Sequence, residues 1–194
     1  IAGEGGIVST NDDELAEKVQ IGREYGMRNY DSVFPGINAR MPEFNAVMGL
    51  HSLRLVEGAA QQRNVYVSIY HELLGKLPGI GFQEVHSEDR CSFKDFSIVI
   101  DENRYGLSRD ELATALTSEN IDVRKYYDPP VHRQMAYKEY CPSDRKLPAT
   151  ELLASCSLSL PIWSCMDKEI CEGIGSAIVR IHHHAEGIRK LLRV

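Results

Sequence analysis

The sequence predicts an α/β chain in two parts: the tail of a larger α/β unit over residues 1–57 and a compact α+β domain over residues 58–194. Three observations predict this. Up to about Val56, one short β-branched run and two helical patterns are the only regular features. Beyond Gly58 the pattern reads β, β, α, β before a polar loop, which puts helices on one face of a small sheet. At 194 residues the chain is also long enough to bury a core, since folding at this size hides roughly 70% of the unfolded surface.

The elements follow in order. The apolar run in "GGIVST" predicts a strand at Gly6–Ser9. Asn11 reads as an N-cap with Glu14 three residues on, close to a capping box, for a helix from about Asp12 to Tyr25. Gly26 ends it by taking the left-handed cap. Residues 27–40, "MRNYDSVFPGINAR", show no period and predict an irregular loop of a length that is often functional. Pro42, whose missing N–H costs nothing at a helix start, opens a helix to about Val56. Its apolar stripe is Met41, Phe44, Met48 and Leu55. Gly58 is a weak point, and helix resumes to about Leu77, with Val65, Ile69, Leu73 and Leu77 four residues apart.

Strands are predicted at Ile80–Val85 and Phe93–Asp101, where Phe96, Ile98 and Ile100 alternate. Ser108 and Glu111 form an S-x-x-E capping box for a helix to about Glu119. "NIDVRKYY" reads as the next strand, followed by the polar loop "DPPVHRQMAYKEYCPSDRK". A helix over Pro148–Ser155, a short strand in "LSLP" and a last helix from about Asp167 to the C-terminus complete the chain.

Hydrophobic residues make up 43% and charged residues 26%, as in ordinary soluble globular proteins. A net charge of −6 speaks against nonspecific nucleic-acid binding. No apolar run reaches membrane-spanning length, and the N-terminus lacks a signal-peptide pattern. The five cysteines, Cys91, Cys141, Cys156, Cys165 and Cys171, are odd in number and without CxxC spacing. That points to packed thiols in a reducing, cytoplasmic setting rather than to disulfides or zinc. His182, His183 and His184 are consecutive, so on a helix they diverge by about 100° and do not converge on one metal ion. The opening "IAGEGGIV" reads as cut from something longer.

Two stretches could carry chemistry. Asn38 and Arg40 lie on a loop that starts at Gly36 and runs into a helix N-terminus. An amide and a guanidinium both donate to phosphate oxygens, and the helix adds free N–H groups. The loop could therefore hold an anion; equally, Asn38 could support a turn and Arg40 pair with Glu43. In "RKYYDPPVHRQMAY", Arg124, Lys125 and Arg133 are cations, Tyr126, Tyr127 and Tyr137 can stack, and His132 titrates near neutral pH. This set suits an anionic, ring-bearing ligand, or an exposed loop with ordinary charges. "GEGG" is neither GxGxxG nor a Walker loop, and no Ser-His-Asp or Cys-His signature is present.

Taken together, "GEGGIVSTNDDELAEKV…REYGMRNY", "GINARMPEFNAVMGLHSL", "YYDPPVHRQMAY" and "LSLPIW" resemble, in order and nearly end to end, the sugar aminotransferases of the DegT/DnrJ/EryC1/StrS family. The pattern G-x-N-x-R-M-x-E-x-x-A over Gly36–Ala46 is the most specific part. The resemblance implies the C-terminal part of a pyridoxal-phosphate-dependent transferase of the aspartate-aminotransferase fold type. On this reading residues 1–57 are the tail of the large cofactor domain and residues 58–194 the small domain. It implies amino transfer, usually from glutamate, to a keto sugar carried on a nucleoside diphosphate, by a homodimer with sites at its interface. The asparagine matching Asn38 reaches the cofactor phosphate of the other subunit, with Arg40 beside it. Tyr127 and His132 are implied near the sugar-nucleotide entrance, and Arg124 near the diphosphate.

In that family the Schiff-base lysine stands a few residues ahead of the GEGG segment, before Ile1, so no catalytic residue is assigned here. The resemblance thus implies a chain inactive by itself, which pairs with a second copy or with a missing N-terminal half. Two other readings stay open: a noncatalytic dimerisation or binding module that keeps this small domain, and a related PLP enzyme acting on a cyclitol or amino acid.

Overall fold

The computed structural model describes residues 2–140 and 146–192, so Cys141 lies outside the described residues. The chain divides into two units, one ending at Glu57 and the other starting at Gly58.

In the first unit, helix α1 spans Asp13–Gly22. Its N-cap is Asp12, one residue later than Asn11, because the Asp12 carboxylate accepts from the Leu15 N–H at 3.1 Å. The loop expected over residues 27–40 contains a small hairpin, with β1 (Met27–Arg28) antiparallel to β2 (Asp31–Ser32). Asn29 and Tyr30 both have positive φ at its tip, as a tight primed turn requires. The strand expected at Gly6–Ser9 does not form; Ile7 and Val8 are exposed. A strand persists only when a neighbour takes its N–H and C=O groups, and among the described residues none lies beside it.

Helix α2 runs unbroken over Glu43–Leu74, through Gly58. Glycine weakens a helix there but does not end it. In its first half the expected apolar stripe is solvated: Phe44 is 86% exposed, and Met48 and Leu55 are exposed as well.

The second unit is built on an antiparallel sheet, β3 (Ile80–Phe82), β4 (Phe96–Ile100) and β5 (Ser157–Leu160), in that spatial order. Phe96 pairs with Leu160, Ile98 with Leu158 and Ile80 with Ile100. The alternating residues Phe96, Ile98 and Ile100 are buried. Against them pack Tyr70 and Leu74 of α2, Leu112 and Leu116 of α4 (Arg109–Ser118), and Cys171 and Ile178 of α6 (Lys168–His183). Each such side chain contributes on the order of 1.5–3 kcal/mol when fully buried. Buried hydroxyls are satisfied: Tyr70 donates to the Pro161 carbonyl and Tyr105 to the Ile178 carbonyl, each at 2.9 Å. Tyr105 ends the short α3 (Glu102–Tyr105), a turn the sequence pattern did not reveal.

The Ser108–Glu111 capping box forms in both directions. Helix α5 covers Pro148–Cys156. The last helix breaks at His184, giving α6 and then α7 (Ala185–Leu192). The strand expected in "NIDVRKYY" reduces to one bridge, Arg124 to Ser159. Asn120 turns the chain at φ +61° before it, and Pro129 and Pro130 lack the donors that would extend it.

Candidate functional site

In the first unit, two glycines cross. Gly26 has φ +73°, a left-handed conformation that suits glycine. A Cβ on Gly36 would stand 2.1 Å from the Gly26 nitrogen, so the close approach excludes any side chain there. Around this crossing the backbone ties Ile37 N–H to Gly22 O at 2.9 Å, Tyr25 N–H to Ile37 O at 3.0 Å and Ala39 N–H to Arg23 O at 2.9 Å. Asn38 sits within that ladder, bridged to Glu24. Its backbone is held by that bridge, its side chain is exposed, and among the described residues its amide N–H groups have no acceptor. Arg40 has local partners: it lies 3.6 Å from the Glu24 carboxylate, not on Glu43, and 5.2 Å over the Tyr25 ring.

In the second unit, Tyr127 and His132 line one cleft of about 590 Å³. The loop that carries Tyr126, Tyr127, Val131 and His132 forms one wall, and Leu153 and Ala154 of α5 belong to the other. Tyr137 and Tyr140, from a short 3-10 segment, add aromatic surface. His132 Nε2 is 2.6 Å from Glu151 Oε1, and Arg133 Nε donates to the same oxygen at 2.7 Å. The His132 hydrogen bond holds the Glu151 carboxyl below its ordinary range; burial works the other way, and Arg133 adds to the lowering. His132 is thus a ring held through Nε2, and among the described residues Nδ1 has no partner.

Arg124 is not in this cleft. Its guanidinium pairs with Asp122 at 2.7 Å and lines a neighbouring cleft of about 510 Å³ with Trp163; Tyr126 borders both. Sequence reasoning missed three residues around the first cleft: Arg109, Asp128 and Glu151. Arg109 is 3% exposed and donates to Asp128 at 2.5 Å. A signal was available, because an arginine at the first position of a helix opposes the dipole and needs a reason to be there. Among the described residues no group of three or more His, Cys, Asp or Glu could hold a metal ion. No described helix is long and apolar enough to cross a membrane.

Residues 1–179 match the model of the DegT/DnrJ/EryC1/StrS aminotransferase family. Over 169 residues the chain is 30% identical to the dTDP-4-amino-4,6-dideoxy-D-glucose transaminase of Escherichia coli, covering 86% of this chain and 45% of that protein. It is 33% identical over 161 residues to the dTDP-3-amino-3,4,6-trideoxy-alpha-D-glucose transaminase of Streptomyces venezuelae, covering 82% and 41%. The crystal structure of DesI in the presence of its TDP-sugar product superposes with a TM-score of 0.90 at 27% identity, over 100% of this chain and 49% of that one. A family aminotransferase from Brucella abortus gives 0.76 at 30%, over 89% and 45%. The chain spans about half the length of the relatives it matches.

Proposed function

The chain belongs to the DegT/DnrJ/EryC1/StrS aminotransferase family, and from that premise we propose that the whole protein is an enzyme moving an amino group from glutamate to a keto sugar linked to a nucleoside diphosphate. Pyridoxal 5'-phosphate is the cofactor of this family. The observation that carries the reading is the match, over most of this chain, to proteins named for dTDP-linked amino sugars.

Asn38 fits the cofactor's phosphate. It is an exposed amide on a bridged backbone, and its N–H groups meet no acceptor among the described residues. Its role is to donate to a phosphate oxygen held by a second copy of the protein, so the enzyme works as a homodimer. Arg40 adds positive potential at that edge while it stays ion-paired with Glu24. The bound cofactor supplies the electron sink that makes amino exchange at the sugar carbon possible. In the second unit, Tyr126 and Tyr127 offer ring faces to a nucleobase, and His132 presents Nδ1 to the sugar or phosphate. Arg124, at the adjoining cleft, meets the diphosphate only by leaving Asp122.

The test uses the whole purified protein. It is expected to carry a visible pyridoxal-phosphate absorbance that borohydride bleaches. With glutamate and a dTDP-linked keto sugar it is expected to release 2-oxoglutarate and a sugar heavier by the exchange of O for NH plus two hydrogens. A colourless protein indifferent to added cofactor overturns the enzyme reading. A coloured one that aminates cyclitols or amino acids but no nucleotide-linked sugar overturns the substrate.

A further inference from the structure

We propose that Arg109 is a positioning residue: its guanidinium sets the separation between the Tyr126–His132 loop and α5, and so the fit of whatever occupies the cleft between them. The identity of that occupant as a nucleotide-linked sugar rests on the proposed function.

Burying a guanidinium is costly unless its donors are met in good geometry. Here they are met from three directions. Nε donates to Asp110 at 2.8 Å, Nη1 to the carbonyls of Ala154 at 2.9 Å and Ser157 at 3.2 Å, and Nη2 to Asp128 at 2.5 Å. Ala154 and Ser157 close the C-terminal turn of α5, where carbonyls lack helical partners and the dipole is negative. Asp128 follows Tyr127 in the loop. One planar group therefore joins the two walls of the cleft.

The grip has further points. Asp110 also accepts from Lys125, the residue before Tyr126. Burial works to raise the Asp110 carboxyl, but the Lys125 hydrogen bond and the charges of Arg109 and Lys125 outweigh it and hold the group ionised to lower pH than usual. Glu151 of α5 holds His132 and Arg133. The loop is thus fastened on both sides of its two tyrosines and again at His132. Stability alone gives little reason for this, because well-packed apolar residues often replace a buried ion pair at no loss. A lysine cannot substitute, since one ammonium does not reach three acceptor directions in one plane.

Arg109→Ala strands buried acceptors and can unfold the domain. The deciding variant is Asp128→Asn, made in the whole protein, which leaves the guanidinium on Asp110, Ala154 and Ser157 and weakens only its hold on the loop. Amide exchange over residues 124–134 is expected to accelerate while β4 and α6 keep their protection and the melting midpoint moves by no more than about 2 °C. With dTDP as the probe, Kd is expected to rise roughly 3- to 30-fold, the effect of weakening one charge-assisted hydrogen bond. KM for the dTDP-linked keto sugar should rise in step, with kcat within about twofold. Asp128→Glu should restore part of both. Unchanged loop exchange, unchanged dTDP affinity, or faster exchange throughout the domain with a fallen midpoint overturns the proposal. If the unmutated protein binds no dTDP, the substrate reading fails and the loop exchange decides the clasp by itself.

Discussion

A Cβ placed on Gly36 would stand 2.1 Å from the backbone nitrogen of Gly26, and one on Gly26 would stand 1.7 Å from the Phe34 carbonyl oxygen. This crossing shapes the loop from which Asn38 projects. Gly36→Ala must push two backbones apart, at about 1–3 kcal/mol for a clash of this kind. Gly58→Ala is the control of opposite sign: it lies inside α2 with nothing within 4 Å of its Cβ position. There alanine should stabilise by about 0.5–1 kcal/mol. Urea midpoints for both variants check the pair. Equal effects would show that the crossing is not under the constraint its geometry implies.

Removing the donor at Asn38 should act on the cofactor and not on the fold. Asn38→Leu keeps the backbone bridge to Glu24 and takes away both N–H groups. In the whole protein the dissociation constant for pyridoxal phosphate should rise roughly tenfold, the worth of one to two hydrogen bonds to a charged acceptor. Arg40→Ala should cost less, because that side chain is already engaged by Glu24 and Tyr25. Equilibrium dialysis of the apo-protein measures both, and unchanged retention in Asn38→Leu would remove this residue from the phosphate site.

Acid should loosen the loop around His132. The Glu151 carboxyl is held low, by His132 first, with burial opposing and Arg133 assisting. A lowered carboxyl stabilises the fold above its unfolded value, about 4.3, and loses that contribution as pH falls through the lower folded value. The unmutated protein should therefore exceed Glu151→Gln in melting temperature at pH 6, and the difference should shrink as pH falls below the unfolded value. Asp110, lowered in the same direction, adds to the loss. A difference that stays constant through acid unfolding would exclude an ionic contribution from Glu151 to holding His132 and Arg133.

The thiols should react in order of access. Cys165 is exposed, whereas Cys171 is fully buried and pushed up to about 11, by burial first, against the opposing hydrogen bond with Tyr70. Since the thiolate is the nucleophile, a disulfide reagent at pH 8 should modify Cys165 before Cys171 and reach Cys171 only when the domain unfolds. Peptide mapping identifies the sites, and native modification of Cys171 at the rate of Cys165 would contradict the packing.

Local signals in the sequence carried well where the chain satisfies itself. The Ser108–Glu111 box, the alternation in β4 and the "LSLP" strand need only neighbours a few residues away or a core the chain provides. Expectations failed where a partner was required. Gly6–Ser9 has strand composition but no adjacent strand among the described residues, and residues 120–127 pair at Arg124 alone. The hairpin tip at Asn29 and Tyr30 escaped notice because tyrosine at positive φ is not a turn signature. In the cleft, residue type marked the segment that holds Tyr126, Tyr127, His132 and Tyr137, and the family resemblance narrowed it to Tyr127 and His132. Arg109 could not be connected with them, since its partners Asp128, Ala154 and Ser157 lie 19 to 48 residues away along the chain.

The solvated face on the first half of α2 has a consequence for handling the polypeptide. Phe44, Val47, Leu50 and Leu53 keep more than half of their surface in water, where each costs free energy that stickiness can recover. Salts that are excluded from protein surfaces strengthen that tendency and denaturants relieve it. Sulfate should cloud a preparation of this chain at concentrations that leave ordinary proteins of its size clear, and a little urea should clear it again before the second unit melts.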